Sequence, residues 1–130
     1  MCSEGVVRVC NLADGVAAVV RDDTRHYFGG YFHVRLQVAV DVPLTLAWFQ
    51  DAQEYEDAVK LLGRISRFSR TLEKMAVPQE EVEAVRLDLL NSFEANLLPY
   101  LSRPDFPCRF VLSEFRKARK SKDLRGGRMI

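Results

Sequence analysis

A chain of 130 residues, 48% hydrophobic and 28% charged, is long enough to bury one core and too apolar to stay disordered. No run approaches the ~18 apolar residues of a membrane-spanning helix, and Met1-Cys2-Ser3-Glu4-Gly5 lacks the regions of a secretory leader, so a soluble, cytoplasmic protein with no membrane partner is expected. Cys2, Cys10 and Cys108, odd in number and far apart, suit free thiols better than a disulfide framework or a paired-cysteine zinc site.

The net charge of +1 is unevenly spread. Arg116, Lys117, Arg119, Lys120, Lys122, Arg125 and Arg128 face only Asp123, whereas residues 1–115 hold twelve basic and seventeen acidic side chains, a net −5. The division expected is one α+β domain over residues 1–120 and a basic, flexible tail over 121–130.

In chain order, valines flank Ala13-Asp14-Gly15, and Asp-Gly favours a tight hairpin because it accepts positive φ. Strands are expected near 5–12 and 16–22. The strongest alternation follows, with Phe32, Val34, Leu36, Val38, Val40 and Val42 on one face and His33, Arg35, Gln37 and Asp41 on the other, a long half-buried strand ending at Pro43. A regular two-residue turn at Gly29-Gly30 sets Arg25 opposite Val34 and Asp23 opposite Leu36, charge against apolar side chain. A bulge at the glycines, or a loop in place of the third strand, relieves that conflict.

After Pro43 the period becomes helical. Tyr55, Ala58, Leu61, Leu62, Ile65, Phe68, Leu72, Met75 and Ala76 share one arc, which predicts a long helix over 51–76, capped by Asp51 and Glu54 and weakened or kinked at Gly63. Pro78 opens a second helix to about residue 98, turned back on the first as a helical hairpin laid on the sheet. A third helix follows Ser102-Arg103-Pro104-Asp105-Phe106-Pro107, anchored by Phe106, Phe110, Val111 and Phe115. The fold expected is α+β, an N-terminal antiparallel sheet of three or four strands followed by a long helical hairpin and a third C-terminal helix.

Two patterns bear on chemistry. On the long helix, Lys60, Arg64, Arg67, Arg70 and Lys74 make a basic stripe which, with Arg116, Lys117, Arg119 and Lys120, offers phosphate contacts to a nucleic acid. The alternative is a solvated face paired across the hairpin with Glu80, Glu81, Glu83, Asp88 and Glu94. The regular glycine turn also places His26 across from His33, two weak metal candidates lacking an evident third ligand.

No Gly-x-Ser-x-Gly elbow or phosphate-binding loop occurs, so neither a cofactor nor catalysis is expected. Tyr27, Phe28, Tyr31 and Phe32 cannot all point inward around a glycine turn. One or two should lie outside, and the leading expectation is a non-enzymatic interaction or regulatory module acting as a homo-oligomer or with a protein partner. Nucleic-acid binding is the runner-up, and a metal or enzymatic site at the histidines comes third.

Overall fold

The computed structural model describes residues 5–127, with side chains as far as residue 122. Cys2 and residues 128–130 lie outside the described residues. The elements are β1 (Val6–Asn11), β2 (Ala17–Asp22), β3 (Arg25–Phe28), β4 (Tyr31–Pro43), α1 (Ala52–Leu62), β5 (Ile65–Pro78), α2 (Val82–Ser92), α3 (Leu98–Leu101) and α4 (Phe106–Gly127).

The expected α+β class is observed, an antiparallel sheet at the front and helices behind it, with five strands. β4 is its centre. β5 pairs with it from Tyr31↔Pro78 to Pro43↔Ile65 and so fills one edge. β2 and β3 therefore share the other edge end to end, and β1 pairs outside β2.

The β1–β2 hairpin turns where Asp14 has φ 60° and ψ 30° and Gly15 has φ 72°, the left-handed pair of a type I′ turn whose twist matches the strands. The β3–β4 turn contains the bulge, since Phe28 faces Tyr31 while His26 faces Phe32. That one-residue shift resolves the conflict of the regular turn. β2 and β3 then keep a common register along β4, and Val20 meets Val38 and Ala18 meets Val40 on the apolar face.

The long helix expected over 51–76 is corrected. Asp51 does cap α1, its Oδ1 accepting from the Glu54 backbone N–H at 2.8 Å, while Glu54 Oε1 accepts from the Gln50 N–H at 2.9 Å. But Gly63, at φ 87°, ends the helix after Leu62, and residues 65–78 form the 14-residue strand β5. The helical hairpin on the sheet is thereby replaced by a strand pair, and α1 packs instead against α4, with Phe49, in the segment before α1, 5.7 Å ring to ring from Phe115 of α4.

The helical stretch after Pro78 is close to expectation but broken. A π turn over Phe93–Leu97 precedes Pro99, which has no N–H to donate and whose ring crowds the carbonyl four residues back. α4 continues to Gly127, beyond the boundary at Ser121 expected for the tail.

Val34, Leu36, Val38, Val40 and Val42 are buried on the helix side of β4. Leu36, Val38, Val40 and Val42 meet a layer that includes Phe93, Leu97 and Leu101 of the π turn and α3, and Phe106, Val111 and Phe115 of α4. A smaller cluster of Val34, Val77 and Val85 seats α2 at the other end of the sheet. The opposite side of β4 carries His33, Arg35, Gln37, Ala39 and Asp41 at the outer face.

Candidate functional site

The β3–β4 turn presents aromatic side chains to solvent. Phe28 is 74% exposed, Tyr27 53% and Tyr31 47%, and Met75, on the strand alongside, is 49% exposed. Phe32 is half-buried against the edge of the His26 ring, with 5.3 Å between centroids. Three of the four aromatics thus lie outside, one more than the turn geometry alone requires.

The bulge separates the histidines. His26 is opposite Phe32, whereas His33 is opposite Arg25 and so projects to the other face of the sheet. The paired arrangement of a regular turn is thus corrected. His26 Nε2 lies against the Gly29 carbonyl, and His33 Nε2 is 2.6 Å from Glu73 Oε1. Among the described residues no group of three or more His, Cys, Asp or Glu is placed to hold a metal.

Cross-strand polar pairs run along the outer face of β4. His33 meets Glu73, Arg35 Nη2 lies 3.0 Å from Asp23 Oδ2, Thr71 Oγ1 donates to Gln37 Oε1 at 2.7 Å, and Arg67 forms a two-bond fork on Asp41. The hydrogen bond from Arg67 holds the Asp41 carboxyl below its ordinary value. Asp23 is lowered first by its bond from Arg25, with the charge of Arg35 adding to it. The His33–Glu73, Gln37–Thr71 and Asp41–Arg67 pairs each lie across β4 and β5, which is the unit that stabilises a sheet surface, whereas Asp23 reaches Arg35 from the link between β2 and β3.

The basic stripe is dismantled by β5. Lys60 stays on α1, Arg64 falls in the link, and Arg67 projects to the face opposite Arg70 and Lys74 because strand residues alternate. The acidic partners assigned across a hairpin are elsewhere too: Glu94 pairs with Arg8, and Glu83 with Arg86.

The fold regroups part of the stripe. Between β5 and α4 lies an open groove of about 890 Å³ into which Arg70, Arg103, Arg109, Arg116 and Lys117 project, over Phe68, Tyr100, Phe106 and Phe110, while Arg67 only borders it, its guanidinium held by Asp41 on the outer face. Its carboxylates are Asp105, 2.8 Å from Arg109, and Glu114, 3.4 Å from Lys117. Arg70 stands over the Phe68 ring at 5.3 Å, and Arg103 over Tyr100 at 5.8 Å.

Arg119 lies outside this groove, over Phe115 and 3.9 Å from Glu54, and lines a smaller hollow with Lys60 and Lys122. Lys120 is exposed on α4. Tyr100, Arg103 and Arg109 escaped the sequence reading because only tertiary packing brings them beside Arg70, and nothing in their spacing marks it.

Cys108 is half-buried at the start of α4, where burial and then the charge of Asp105 raise its thiol pKa. No helix among the described residues is long and apolar enough to cross a membrane. Compared with protein-family models, with curated proteins and with solved structures, the chain matches none.

Proposed function

We propose that the protein acts through association, as a homo-oligomer whose contacts are made by the β3–β4 turn, without catalysing a reaction of its own. The observation that carries this reading is the exposure of Tyr27, Phe28 and Tyr31 together at one projecting turn. Aromatic side chains bring a large apolar area with few rotatable bonds, which is why they dominate the energetic centres of interfaces. Full burial of one such ring is worth about 2–3 kcal/mol. The ion-paired outer face beside the turn supplies a polar rim, the usual surround of such a centre.

Light scattering coupled to size-exclusion chromatography tests the reading. A dimer is expected whose population rises with protein concentration and resists high salt, because apolar contacts are not screened. Replacing Phe28→Ser and Tyr31→Ser together should leave a folded monomer. A wild-type protein that stays monomeric at ~100 μM, well above a micromolar dissociation constant, would refute homo-oligomerisation. The nucleic-acid alternative draws on a different surface, the β5–α4 groove, and stands or falls separately.

A further inference from the structure

We propose that the groove between β5 and α4 binds single-stranded nucleic acid, with phosphates on its arginines and a base stacked on Tyr100. Five cations against two carboxylates leave the groove positive, although residues 1–115 as a whole carry a net negative charge. A polyanion is therefore drawn to this face and repelled from most of the rest.

The cations are not equivalent. Arg109 and Lys117 are already engaged by Asp105 and Glu114, and Arg67, at the border, is turned away to Asp41. Arg70, Arg103 and Arg116 have no carboxylate within ion-pair distance among the described residues, and all three are exposed. Two of them stand over aromatic rings, which places their guanidinium groups at the groove before any ligand arrives. A phosphate reaching them displaces water and no competing acid, and a planar guanidinium fork suits phosphate oxygens.

The dimensions suit a strand rather than a duplex. Arg109 and Arg116 stand two turns apart on α4, about 10 Å, with Arg70 on β5 across the groove from them. A duplex takes protein elements into its own grooves, whereas a cleft between one strand and one helix admits a single chain. Tyr100 supplies what a bare phosphate site lacks. It is 43% exposed and is fixed edge-on to Phe106 at 5.4 Å, a platform on which a base of any identity can stack.

The test is fluorescence anisotropy with labelled dodecamers of oligo-dT and oligo-U, titrated from 50 to 300 mM salt, with circular dichroism to confirm that each variant is folded. Binding should weaken with a log–log slope of about −2, three phosphates at ~0.7 each. Arg70→Ala, Arg103→Ala and Arg116→Ala combined should lower affinity at least tenfold, while Lys60→Ala with Lys74→Ala, outside the groove, should leave it unchanged. Tyr100→Leu should cost about tenfold, and inorganic polyphosphate, which has no bases, should compete poorly. The assignment is overturned by absence of binding at 50 mM salt, or by undiminished binding in the triple arginine variant. It is equally overturned if polyphosphate binds as tightly as the oligonucleotides and Tyr100→Leu is silent, or if phosphatidylserine vesicles bind where the oligonucleotides do not.

Discussion

Asp22 at the end of β2 and Arg86 in the middle of α2 lie 2.8 Å apart, Oδ2 to Nε, each about one quarter exposed. This pair ties α2 to the sheet beside the small Val34, Val77 and Val85 cluster. Arg86→Met removes a half-buried cation and leaves Asp22 facing α2 without its partner. A loss of about 1–2 kcal/mol in urea unfolding is expected, between the values for exposed and fully buried pairs. A double-mutant cycle with Asp22→Asn should return a coupling of about 1 kcal/mol. Additive effects would show that the contact is not energetically coupled.

Ala76 has φ 55°, beside the irregularity where β5 shifts register against β4. A left-handed backbone costs a residue with a Cβ about 1–2 kcal/mol, whereas glycine loses about 0.5–1 kcal/mol of chain entropy on folding. Ala76→Gly should therefore leave stability unchanged or raise it by up to about 1 kcal/mol. Ala18→Gly, at a buried position of β2, should lower it. Thermal melts of the two variants check the contrast, and equal losses would contradict it.

The Arg67–Asp41 pair predicts an acid dependence of known sign. The folded-state pKa of Asp41 lies below its ordinary value, so the stabilisation is fully present above the unfolded value and is lost as pH falls through the folded one. Because both side chains are largely exposed, it amounts to less than about 1 kcal/mol. Urea midpoints of the wild type and Asp41→Asn should differ at about pH 7 and draw together as pH falls through the lowered folded-state value of Asp41. A gap that persists at low pH would assign the effect to something other than charge.

Cys108 should be a sluggish nucleophile. Its raised pKa leaves less thiolate at neutral pH than a free cysteine has. Iodoacetamide at pH 7.5 should label it more slowly than glutathione, with a rate that climbs with pH beyond the point where glutathione levels off. Labelling as fast as glutathione would contradict the local electrostatics.

Parts of the fold could be read from residue order because neighbouring positions agree. The even-numbered apolar run of β4, the Asp14-Gly15 turn, the Asp51 cap and the anchors of α4 each lie where local pattern and packing coincide. β5 could not be read because its helix-side positions include Ser66 and Arg70 among Phe68 and Leu72, which hides the two-residue period. Its apolar residues meanwhile fall by accident at helical spacing with those of α1. Gly63, taken for a weak point inside a helix, is in fact its end. The conflict at Gly29-Gly30 was legible, and its resolution by a bulge follows from keeping valines opposite valines. The groove was not, because its cations come from β5, α4 and the turn before α4, and no one-dimensional pattern joins them.

The placement of β4 between its partners also orders events in time. The β1–β2 and β3–β4 hairpins close over a few residues, but β5 reaches β4 only after the chain has made α1, with Tyr31 and Pro78 distant in sequence. Loop closure of that length is slow relative to a hairpin. As the chain leaves the ribosome, the far edge of β4 therefore stays open until about residue 78 has emerged. In that interval the Val34–Val42 face is also uncovered, because the helices that bury it come later still. Slowing synthesis after Pro43 would prolong this state, whereas slowing it after Pro78 would leave the edge already closed and only the face exposed.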